Sequence, residues 1–173
     1  MTMIPTEFDL ESEIVEATRK AVSELFSQHP GLFYYCALIT SGEAHSPYLV
    51  AWSEEALAEA ITAEENPNEA REELKWSYAD SPYCFFGEEH FKGVNDLFSR
   101  RPDVSQKEYE IRLQAMERAI AKLDKEGLFG TGAARQRIVV NVEVMPPDLT
   151  NTERAIRLNS PEAIKEWLKE AAE

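Results

Sequence analysis

The chain has 173 residues, 43% hydrophobic and 10% aromatic, which excludes a disordered protein and suits one domain with a core that hides about 70% of the unfolded surface. Its 32 acidic and 18 basic side chains leave a formal charge of −14, which speaks against nucleic acid and anionic membranes, since binding to either rests on Lys and Arg. So acidic a surface keeps the protein soluble and speeds encounter with a basic partner.

Thr6-Glu-Phe-Asp9 fits a capping box, and Ile14, Ala17, Ala21 and Leu25 then recur at helical spacing, predicting a helix over 7–28 that Pro30 and Gly31 stop. The run from Leu32 to Ile39 is short, aromatic-rich and apolar on both faces, as expected of a central strand covered on both sides. Tyr48 to Trp52 reads as its antiparallel neighbour, because a loop of about eight residues is too short for a parallel crossover. Ser53 caps a further helix with Leu57, Ala60 and Ile61 as its buried stripe. Beyond it Glu64, Glu65, Glu69, Glu72 and Glu73 form a solvated face or loop.

Residues 76–91 form a connection dense in aromatics, followed by a helix from about Glu88 to Ser99 that ends at Arg100-Arg101, where a helix C-terminus favours cations. Ser105-Gln-Lys-Glu108 is a second capping box. It opens a helix over about 105–126 with the stripe Tyr109, Leu113, Met116, Ile120 and Leu123, closed by Gly127. From 136 to 145 apolar and polar residues alternate: Ile138, Val140, Val142 and Val144 point one way, Val139, Asn141, Glu143 and Met145 the other. Asn141 and Glu143 are therefore expected on a solvent-facing sheet surface, with the floor of a polar pocket as the alternative. Asn151 and Ser160-Pro161 start two closing helices, tied to the body by Leu158, Ile164, Trp167 and Leu168. No repeat or linker divides residues 1–173, so the expected fold is a single α+β domain, with an antiparallel sheet of at least three strands (about 32–40, 48–53 and 136–145) packed by the two long helices.

Chemistry is sparse. Two cysteines, Cys36 and Cys84, give no disulfide framework and no CxxC metal knuckle. No run approaches the roughly 20 apolar residues of a membrane helix, and the acidic start is unlike a signal peptide, so a cytoplasmic protein is expected. Gly127, Gly130 and Gly132 lie after a helix and before a strand, the reverse of the order in a dinucleotide loop, which excludes a phosphate cradle. HExxH and GxSxG are absent, and no metal set or cofactor is expected. A hydrolase or metal-dependent enzyme would have to use His90 with Asp80 and Glu143 brought within bonding distance. The leading expectation is instead a non-enzymatic binding protein, one form being an immunity-type inhibitor. Glu64, Glu65, Glu69, Glu72 and Glu73 would steer a basic protein partner, and Trp76, Tyr78 and Tyr83 would anchor it.

Trp76-Ser-x-Ala-Asp80-Ser-Pro-Tyr83, Phe86-Gly-Glu-x-His-Phe91, Gly127-Leu-Phe-Gly130, Asn141-Val-Glu-Val-Met-Pro-Pro-Asp148 and Asn151-Thr-Glu-Arg154 together resemble a bacterial family catalogued as domain of unknown function four-three-zero-three. The likeness runs from about residue 37 to the end of the sequence. It implies no activity and no catalytic residues. An analogy with small acidic immunity proteins lends weight to binding.

Overall fold

The computed structural model describes residues 3–173. Helix α1 (Glu7–Gln28) leads into β1 (Phe33–Ser41) and β2 (Tyr48–Ser53), then α2 (Glu54–Thr62) and α3 (Pro67–Leu74). The aromatic connection ends in a 3₁₀ turn at Glu88–Phe91. After it come α4 (Lys92–Ser99), α5 (Gln106–Lys125), the single turn α6 (Gly132–Arg135), β3 (Val139–Met145), α7 (Asn151–Leu158) and α8 (Pro161–Glu170). The sheet order is β2-β1-β3.

Side-chain caps set the starts of α1, α2, α5 and α8. Thr6 accepts from the Asp9 amide while Asp9 accepts from the Thr6 amide, completing the predicted box. Ser53 and Ser160 cap α2 and α8 as expected. Ser105 also caps α5, but the reciprocal half of its box is missing, because the Glu108 carboxylate turns away to two arginines. The acidic stretch expected to be a solvated face or loop contains α3, whose first residue is Pro67, where a missing N–H costs nothing.

The sheet is mixed, not antiparallel throughout. β1 pairs with β2 in the expected antiparallel sense, but β1 and β3 run parallel in register from Tyr35↔Val139 to Ser41↔Met145. Residues 42–138, more than half of the chain, lie between β1 and β3, ample for a crossover, and alternation within one strand carries no information about a partner's direction.

Helices cover both faces of this sheet. On one side Cys36, Leu38, Val140, Val142 and Val144 meet Ile14, Val22 and Leu25 of α1 and Met116 and Ile120 of α5. On the other, Tyr35, Ile39, Trp52 and Val139 meet Leu57 of α2 and Ile164 and Trp167 of α8. Asn141 (0% exposed) and Glu143 (6%) point to this second side, so the expected solvent-facing surface is instead interior. Leu168 does not join that core; it is 37% exposed.

Side chains close the β3 edge and touch the β2 edge at one point. Along β3, the Asn159 amide bonds both backbone groups of Val140, Arg154 Nε donates to the Val142 carbonyl, and the Asn151 amide bonds both backbone groups of Val144. Every second residue of the outer edge is thus held by α7 or its C-cap, which blocks strand addition. On β2, the Ser81 hydroxyl donates to the Ala51 carbonyl where the aromatic connection crosses from one face to the other.

Candidate functional site

The three residues of the enzymatic alternative do not meet. Asp80 is exposed and accepts the Ser77 hydroxyl. His90 Nε2 lies 2.7 Å from Glu24 of α1 and 3.9 Å from Glu89, on the α1 side of the sheet. Gly87 sets that approach: its φ is +67°, and a Cβ there would fall 2.8 Å from the Ala21 Cβ. The hydrogen bond from His90 holds the Glu24 carboxyl below its ordinary range. Glu24, Glu89 and His90 bring three potential ligand atoms within 4.8 Å of one another, a group that sequence spacing did not indicate because Glu24 is 66 residues from His90.

Glu143 belongs to a different environment. It is buried under the second layer, where Asn141 Nδ2 donates to it at 3.2 Å and the Tyr35 hydroxyl faces it without closing a hydrogen bond. Burial raises its pKa to about 6, with Tyr35, Asn141 and Arg154 opposing the rise and Glu173 adding to it. Among the described residues, the Tyr35 hydroxyl and the Asn141 Oδ1 have no hydrogen-bond partner. Proton exchange at this buried carboxyl is therefore coupled to stability.

The aromatic set is half-buried and already engaged. Trp76 packs edge-on against Tyr34 at 5.3 Å and Tyr35 at 5.9 Å and donates its indole N–H to Glu170. Tyr83 sits 5.7 Å from Phe33 and 5.0 Å from His29, and its backbone N–H donates to the Ser81 hydroxyl. Tyr78 packs against the second core cluster. Glu64, Glu65, Glu69, Glu72 and Glu73, by contrast, are all exposed on α2–α3, and none has an ion pair among the described residues. The two nearby cations are used elsewhere: Arg71 pairs with Glu54, and Lys75 with Glu166 and Glu170.

Two further features escaped the sequence reading. Arg101 and Arg112, both within 9% exposure, converge on the buried Glu108 carboxylate, so the paired arginines do more than finish α4. Burial pushes Glu108 up, and the two guanidinium groups more than reverse it, holding the carboxyl below its ordinary range. At the opposite end of the sheet, β1 starts at Phe33, whereas its pairing with β3 starts only at Tyr35. The Gly127–Arg137 segment diverges there and leaves a cleft of about 1010 Å³ between α8 and the Leu128–Phe129 wall. The glycines excluded as a phosphate cradle are the signal for this cleft, since they make its wall turn.

A single α+β domain with a helix-covered mixed sheet whose β3 edge is closed is the class these features define. Residues 14–160 match the family model described as domain of unknown function (DUF4303), and the chain belongs to that family. Comparison with curated proteins found no match, and neither did comparison with solved structures. Among the described residues, no helix is long and apolar enough to cross a membrane.

Proposed function

We propose that the protein is a non-enzymatic cytoplasmic binding protein that meets a basic protein partner through the α2–α3 face, with an immunity-type inhibitor as the specific form. One observation carries this reading. Residues 54–73 hold eight glutamates and one arginine, a net −7 that is half of the chain's −14, and among the described residues only Glu54 of these glutamates is ion-paired. Charge concentrated on one exposed face steers a basic partner and raises the encounter rate in a salt-dependent way. Trp76 and Tyr83 are committed to internal contacts, so the acids lead the recognition and Tyr78 is the aromatic closest to serving as an anchor. The same face repels nucleic acid and anionic membranes.

The test is affinity capture from cells of the source organism at about 50 mM and about 500 mM salt, which changes screening severalfold. The wild-type chain is compared with the Glu65→Lys/Glu69→Lys/Glu72→Lys/Glu73→Lys variant. A basic protein retained by the wild type at low salt and lost by the variant is expected. Equal capture by both chains, or no basic protein at either salt, would sink the proposal.

A further inference from the structure

The cleft at the open end of the sheet differs in electrostatic character from the rest of the molecule. Its walls are apolar: Phe26, Leu32, Phe33, Leu128, Phe129 and Ile138 contribute, and Leu32 is 57% exposed at the rim. A large aliphatic side chain left open beside a concave apolar surface has no packing role in the isolated fold. The volume of about 1010 Å³ is at the upper end for small-molecule sites.

Four acids and three cations line it. Of the acids, Glu54 is held by Arg71, and Glu166 and Glu170 both hold Lys75. Among the described residues, Glu162 alone of these four has no ion pair. Arg137, Lys165 and Lys169, on the other hand, make no ion pair among the described residues. The lining as a whole carries four acids and three cations, but outside the ion pairs three cations face Glu162 alone among the described residues. A basic segment placed here would meet three uncompensated cations, so the cleft is not an extension of the α2–α3 face. An apolar body bearing one negative head group satisfies both the walls and the rim.

We propose that this cleft binds a small amphipathic carboxylate, with its hydrocarbon body against Phe26, Leu32, Phe33, Leu128 and Phe129 and its head group among Arg137, Lys165 and Lys169. The ligand is free in solution, not part of a bilayer, because the overall charge of −14 opposes an anionic membrane surface.

Dodecanoate below its micelle-forming concentration is the probe. Titration calorimetry compares it with dodecanol and dodecyltrimethylammonium, and anilinonaphthalene sulfonate fluorescence with dodecanoate displacement supplies a second readout. One saturable site is expected, with the cationic amphiphile weaker by at least about tenfold, the scale of one or two charge-assisted contacts. Lys165→Glu/Lys169→Glu should weaken dodecanoate by about tenfold and leave dodecanol within about twofold. Ala163→Trp, on a partly exposed helix position lining the cleft, should abolish binding of all three probes with an unchanged melting temperature. Leu32→Gln, at an already exposed site, should weaken them without filling the space. The proposal is overturned by any of four results: no saturable site, equal affinity for the cationic amphiphile, indifference to both Ala163→Trp and Leu32→Gln, or binding only to vesicles of anionic lipid.

Discussion

Glu143→Gln tests the physics of the interior most directly. In the fold this carboxyl is buried beside Asn141 and Tyr35, and burial lifts its pKa from the ordinary 4.5 to about 6. A rise of that size corresponds to roughly 2 kcal/mol of preference for the neutral form. The sign follows from linkage. Below pH 4.5 the group is protonated in both folded and unfolded chains and burdens neither. As pH rises from 4.5 through about 6, the unfolded chain ionises first, so folding stability falls; above that window the loss is complete, at about 2 kcal/mol. Glutamine has no charge to bury, can still accept from Asn141 Nδ2, and brings a donor toward the Asn141 Oδ1, which has none among the described residues. The variant should therefore match the wild type at about pH 4 and exceed it by about 2 kcal/mol at about pH 8, a melting-temperature gain of roughly 4–8 °C for a domain of this size. Urea denaturation of both proteins across that pH range measures it. Taking the difference at each pH cancels the titration of groups that do not interact with Glu143. A flat difference, or a variant less stable at the alkaline end, would refute the account of Glu143 as a buried acid at odds with its surroundings.

Two other substitutions probe the polar framework. Asn151→Ala strips partners from the Val144 N–H and C=O, which the Asn151 amide bonds at 2.8 and 3.1 Å, and should cost about 3 kcal/mol by the usual price of unsatisfied backbone groups. Chemical denaturation with an unchanged m-value is the check, and a loss under about 0.5 kcal/mol would mean that α7 does not hold the edge. Glu108→Gln leaves Arg101 and Arg112 buried without their shared anion and should destabilise by about 3–5 kcal/mol. Retention of wild-type stability in thermal melts would show that water reaches both guanidinium groups.

Local signals went far for this chain because they act within a few residues. The Thr6–Asp9 box, the Ser53 and Ser160 caps, the stop at Pro30-Gly31 and the Leu113–Leu123 stripe determined where helices begin, end and turn their apolar sides. The alternation from Ile138 to Met145 likewise determined which residues share a face of β3. What covers each face was not encoded at that range. Asn141 and Glu143 read as solvent-facing, yet α7 and the C-terminal end cover them, and Asn151 read as a helix cap although its amide serves the neighbouring strand. The parallel pairing of β3 with β1, the Arg101–Glu108–Arg112 cluster and the cleft beside Leu32 all join positions far apart in the sequence or separated by an unpredictable turn. Periodicity and capping report the free energy of one segment against its own alternatives. Strand direction, the partners of buried charges and the shape of a cavity depend on which segments come together, and only the assembled domain decides that.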